Sequence, residues 1–138
     1  MKFFLRFFLA TCAVIAALTG ANSAAPTDPA VNQAAVEIVR VFKAQGQPGM
    51  QAYVQNCYAR ESASLHCLYL DAAGFQVNAV LAALMNAPRN PFFMGQPYAL
   101  RILPAMKAAG IGMDQETDFL KHLYNALRPS LYAAYTAR

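Results

Sequence analysis

The sequence is short of almost every residue pattern that marks a specific chemistry. Charge is sparse, with eleven Lys or Arg and seven Asp or Glu scattered over 138 residues. A nucleic-acid surface needs clustered cations, and no such block exists, so that class of partner is not expected. Histidine is limited to His66 and His122. A helical bundle can hold a metal or haem between two facing histidines. Here Tyr69 and Leu70 occupy the i+3 and i+4 positions after His66, and His122 has no Glu-x-x-His partner. There is no Cys-x-x-Cys-His haem motif, and the methionines are dispersed rather than grouped as a copper site requires. Beyond Ser23 the serines are Ser62, Ser64 and Ser130, none within Gly-x-Ser-x-Gly, so no nucleophile is marked. No cofactor, metal or catalytic residue is expected. No strand pattern, internal repeat or low-complexity tract is found either.

The N-terminus has a distinct plan. Lys2 and Arg6 precede an apolar run from Phe7 to Leu18, and small or polar residues follow from Thr19 to Ala24. This is the tripartite pattern of a secretory signal. The run is shorter than the roughly 20 residues needed to cross about 30 Å of hydrocarbon. Ala21 and Ser23 suit the small positions before a cut, so residues 1–23 are expected to be a signal peptide and 24–138 one helical domain. Cys12 lies inside the apolar run rather than after it, which argues against a lipoprotein. A periplasmic or secreted location follows as an expectation. Without Lys2 and Arg6 the basic excess falls to two.

Cys57 and Cys67 then remain as an even pair. In an exported chain that predicts a disulfide, contributing roughly 3 kcal/mol by constraining the unfolded state. The spacing is not Cys-x-x-Cys, so a staple is expected rather than a redox couple.

Helical periodicity dominates the rest. Asp28 suits an N-cap and Pro29 the first helical position. Val31, Ala34, Ala35, Ile38, Val41 and Phe42 recur on one face, with Asn32, Gln33, Glu37, Arg40 and Lys43 opposite. This helix should end near Gly46, with Gln47-Pro48-Gly49 as a tight turn. A second helix is expected from Met50 to Arg60, and a third from Leu65 to Met85, capped by Ser62 or Ser64. The third is apolar nearly all round, as a central helix is. It is long enough to span a membrane, but Asp71 near its middle would cost about 2.5–3.5 kcal/mol on insertion. A soluble core helix is therefore expected. Asn86 to Pro97 reads as a loop. A helix from Pro97 to Ala109 should kink or split at Pro104. The last helix should start from an Asp114 cap and kink or restart at Pro129. The expected fold is an all-α bundle of four to five helices with one disulfide.

Three groups of residues stand out as candidate sites. Asp71 and Asn78 lie two turns apart on one face of the central helix. They suit a buried polar network that fixes helix docking, with Arg101 or Tyr58 as partners for the Asp; an enzyme site around Asp71 is the alternative. Asp114, Glu116 and Asp118 resemble a carboxylate cluster but lack the Gly and Glu of a calcium loop. Their place in a first helical turn is explained by the helix dipole. Arg89, Phe92, Phe93, Met94 and Tyr98 gather in or beside the Pro-rich loop, and such residues are enriched at interfaces. They are either an exposed partner site or a plug folded back into the bundle. Tyr124, Tyr132 and Tyr135 form a second possible contact face. The leading expectation is an interaction protein, such as an inhibitor, an immunity-type protein or an accessory factor acting on another envelope protein. The alternative is a carrier of a small apolar ligand between helices.

Overall fold

The computed structural model describes residues 28–138. The signal sequence expected over residues 1–23 lies outside the described residues. Within 28–138 the chain is all helical: α1 (Asp28–Arg60), α2 (Leu65–Met85), a single 3-10 turn (Pro91–Phe93), α3 (Gly95–Ala108) and α4 (Glu116–Thr136). No strand occurs among the described residues.

α1 is two helical arms joined at Gly46. That residue has φ 66° and ψ −162°, a region of backbone space open essentially to glycine alone. In a continuous helix Glu37 and Tyr53 would lie about 24 Å apart, at 1.5 Å per residue. Instead the Tyr53 hydroxyl donates to the Glu37 carboxylate at 2.9 Å. Gly46 therefore folds the arms 28–45 and 47–60 back on each other. The reversal occurs at this one residue, so Gln47-Pro48-Gly49 is not a separate turn but the start of the second arm. Proline is tolerated there because first-turn amides have no intrahelical acceptor.

The Cys57–Cys67 disulfide ties the second arm to the start of α2. The α2 N-terminus is capped by Ser64, whose Oγ accepts from the amides of His66 and Cys67. α2 is the central helix and packs against α1, α3 and α4, while α4 also packs on α1. The core is contributed by every helix, with Ile38, Met50, Leu68, Leu70, Met106, Leu123 and Leu127 fully buried. α2 is long and apolar enough to cross a membrane by length and composition, and half of that window is buried in the bundle. Its burial is uneven. Cys67 to Gly74 is continuously buried, whereas Val80, Leu84 and Met85 are exposed.

Neither proline splits its helix in two. α3 starts at Gly95 rather than Pro97 and runs through Pro104, and α4 runs through Pro129. Pro104 and Pro129 lie on solvent-facing sides, as do Leu100 and Asn125 one turn earlier. The carbonyl that loses its helical donor is thus on the wet face, where water replaces the bond. α4 opens at Glu116 with Gln115 in the flanking position, so Asp114 is not its cap. Glu116 and Asp118 do fall in the first turn, where they complement the helix dipole.

Candidate functional site

Asp71 and Asn78 of α2 are buried and partnered. Asp71 is wholly inaccessible. Arg101 on α3 donates to both of its carboxylate oxygens, from Nε at 2.8 Å and from Nη2 at 2.9 Å. The same guanidinium donates to the carbonyls of Phe92 and Pro97, and lies 3.5 Å from the centre of the Phe92 ring. Burial raises the Asp71 carboxyl above its ordinary range, against the opposing pull of Arg101. Tyr58 lies close by, and burial together with the Asp71 charge pushes its phenol up. Its hydroxyl is buried and makes no hydrogen bond of ordinary geometry. Arg101, rather than Tyr58, is thus the principal partner of Asp71. Asp71 is sealed from solvent, whereas the Arg101 side chain is 17% exposed.

Asn78 holds the segment after α2. Its side-chain Oδ1 accepts from the Asn90 amide at 2.9 Å, and its Nδ2 donates to the Asn90 carbonyl at 3.3 Å. Asn90 in turn donates from its side chain to Gln51 and caps the 3-10 turn through the Phe92 amide. This satisfies polar groups that a loop laid on the core would otherwise bury unpaired. Asp71 and Asn78 therefore act in a network that docks α3 and the loop onto α2.

The aromatic loop is folded inward. Phe93 is fully buried, Tyr98 nearly so, Phe92 and Met94 are half-buried, and only Arg89 is exposed. The Phe93 ring lies where a Cβ on Gly74 would be. That fit requires glycine on α2, a feature which local sequence could not reveal. Phe92 is held between the Phe93 edge and the Arg101 guanidinium. Tyr98 stacks on Phe75 at 4.9 Å and shares a 2.9 Å hydrogen bond with the Tyr124 hydroxyl. Phe93 plugs the bundle, while Phe92 and Met94 keep part of their surface exposed beside Arg89.

A small polar cluster links the arms of α1 to α2. Glu37 accepts from Gln33 and Tyr53, and His66 Nε2 lies 3.8 Å from its carboxylate. Burial raises the Tyr53 phenol, helped by the Glu37 carboxylate. The sequence separates these residues too widely for any motif to mark them.

An open apolar groove lies elsewhere among the described residues. Val39 and Phe42 of α1, Val77, Val80, Leu81 and Leu84 of α2, and Leu131, Tyr132 and Tyr135 of α4 line an open groove of about 490 Å³. Gln76, Arg128 and Thr136 complete it. Leu84 is 79% and Tyr132 74% exposed. The groove forms because α2 remains apolar all round past the point where α3 covers it. Of the residues singled out in the sequence as a contact face, Tyr132 and Tyr135 lie here, while Tyr124 packs against Phe75 at 5.4 Å. Pockets of this size and character suit a small, largely apolar ligand. No protein-family model, curated protein or solved structure matches the chain.

Proposed function

We propose that this chain is an exported carrier of a small apolar ligand, held in the groove between α1, α2 and α4. The observation that carries this reading is the groove itself, about 490 Å³ of space lined by aliphatic and aromatic side chains and open to solvent. Uncovered apolar patches of this kind mark binding surfaces, because their exposure is unfavourable in water until something covers them. Export belongs to the same proposal. It is supported by the leader-like plan of residues 1–23 and is in keeping with the Cys57–Cys67 staple.

Native mass spectrometry of the protein, purified gently from its host, tests the reading. A small adduct that is lost on denaturation is the expected result. A co-purifying protein mass instead would identify the groove as a face for another envelope protein. A bare monomer that also fails to take up added long-chain alcohols would overturn the carrier.

A further inference from the structure

We propose that the groove is polarised and takes a long-chain carboxylate, with the head at Arg128 and Gln76 and the chain running towards Leu84 and Tyr135. This inference rests on the carrier reading and specifies its ligand. The direction comes from the ring contact between Phe75 of α2 and Tyr124 of α4, at 5.4 Å. Every groove residue of both helices follows that contact in sequence. Gln76 is the first from α2 and Arg128 the first from α4, so both polar side chains sit at the same end. Beyond them the lining is aliphatic or aromatic except for Thr136, whose hydroxyl donates to the Tyr132 and Ala133 carbonyls of its own helix.

Charge supplies the second argument. Among the described residues no acidic side chain lines the groove. Among the described residues the ion pairs are Arg101 with Asp71 and His66 with Glu37, and Arg128 is in neither. The residues three and four away from it on α4 are Asn125, Tyr124, Leu131 and Tyr132, none of them acidic. A guanidinium at the end of an apolar trough is complementary to a carboxylate that carries an apolar tail, since its planar fork can donate two bonds to one carboxylate. Lys43 lies at the opposite end, 5.4 Å from the Tyr135 ring centre, and is engaged with the Ala137 carbonyl.

The test compares dodecanoate with dodecanol on the purified, delipidated protein, each displacing the uncharged fluorophore N-phenyl-1-naphthylamine. The carboxylate is expected to bind about tenfold more tightly, as one partly exposed charge-assisted contact allows. Arg128→Gln should abolish that preference, bringing the carboxylate's affinity down to that of the alcohol. Lys43→Gln should leave the preference intact. Equal affinity for the two ligands, or a preference that survives Arg128→Gln, overturns the head-group assignment while the carrier stands. Failure of both ligands and of the fluorophore to bind removes the carrier and this inference together.

Discussion

Replacing Arg101 by leucine isolates the contribution of the buried ion pair. Arg101 makes two hydrogen bonds to the inaccessible Asp71 carboxylate and two to the carbonyls of Phe92 and Pro97. Leucine retains an apolar stem and removes all four. Deleting one partner of a buried pair costs about 3–5 kcal/mol, because the other charge stays behind unpaired. The lower end applies here, since Asp71 can escape by taking a proton. Its carboxyl is already raised by burial with Arg101 alongside, and it rises further without that cation. A carboxyl whose folded-state pKa lies above its unfolded value contributes stability that is fully present below the unfolded value. That contribution is lost as pH rises through the folded value. The deficit of the variant is therefore greatest near neutrality and shrinks in acid. Urea unfolding followed by far-UV circular dichroism should show a loss of about 3 kcal/mol at about pH 7. At about pH 4.5 the loss should be smaller by more than about 1 kcal/mol, since each pKa unit is worth about 1.4 kcal/mol. A loss that is the same at both pH values, or below about 1 kcal/mol at neutrality, would refute the picture of a carboxylate held by Arg101. The double change Asp71→Asn with Arg101→Leu should recover part of the deficit, because no orphaned charge remains.

Three further perturbations probe the staple, the plug and the groove. Cys57→Ser with Cys67→Ser opens a loop of sequence separation ten, and chemical unfolding should register a loss of about 2.7 kcal/mol on the chain-entropy relation. An unchanged midpoint would mean that the disulfide constrains nothing in the unfolded chain. Gly74→Ala places a methyl group where the Phe93 ring lies, so thermal unfolding should report a loss of about 1–3 kcal/mol from overpacking. Adding Phe93→Leu should restore some of it, and a tolerated Gly74→Ala would contradict the close approach. Leu84→Asp alters a side chain that is 79% exposed, so stability should stay within about 0.5 kcal/mol. Affinity for N-phenyl-1-naphthylamine should fall, and undiminished uptake would exclude this groove as the fluorophore's site.

Local chemistry made the helices readable in advance. The stripe from Val31 to Phe42 set the first arm of α1, and the Ser64 cap and Asn86 set the ends of α2. Gly46 was legible as a stop. That it reverses the chain in one residue was not, because the reversal depends on Glu37 and Tyr53 meeting across it. That Pro104 and Pro129 would not split their helices was not legible, for a complementary reason. Pro104 and Pro129 do remove helical hydrogen bonds, but whether a helix breaks depends on whether water can reach the freed carbonyl. That is decided by tertiary placement. The Asp114 cap failed because α4 starts one residue later, with Gln115 in the flanking position and Glu116 in its first turn. The Asp71–Asn78 face was recognisable from helical spacing, whereas the choice of Arg101 over Tyr58 required α3 to be docked. Phe93 could have been surface or plug, and its burial depends on Gly74, nineteen residues earlier in the chain. The groove left no motif at all, because it is made where no other described element covers the end of α2.

The reversal at Gly46 has a consequence for the order in which the molecule is assembled. The two arms of α1 meet within one stretch of chain, and the staple joins the second arm to α2 only a few residues further on. Contacts so close in sequence require little loop closure and form early. The pairing of α4 with α1 is different, since Lys43 meets Ala137 across most of the chain. Because Leu131, Tyr132 and Tyr135 supply one wall of the groove, the groove does not exist until that last closure is made. A ligand seated there engages only the closed chain, so occupancy favours the completed bundle by mass action.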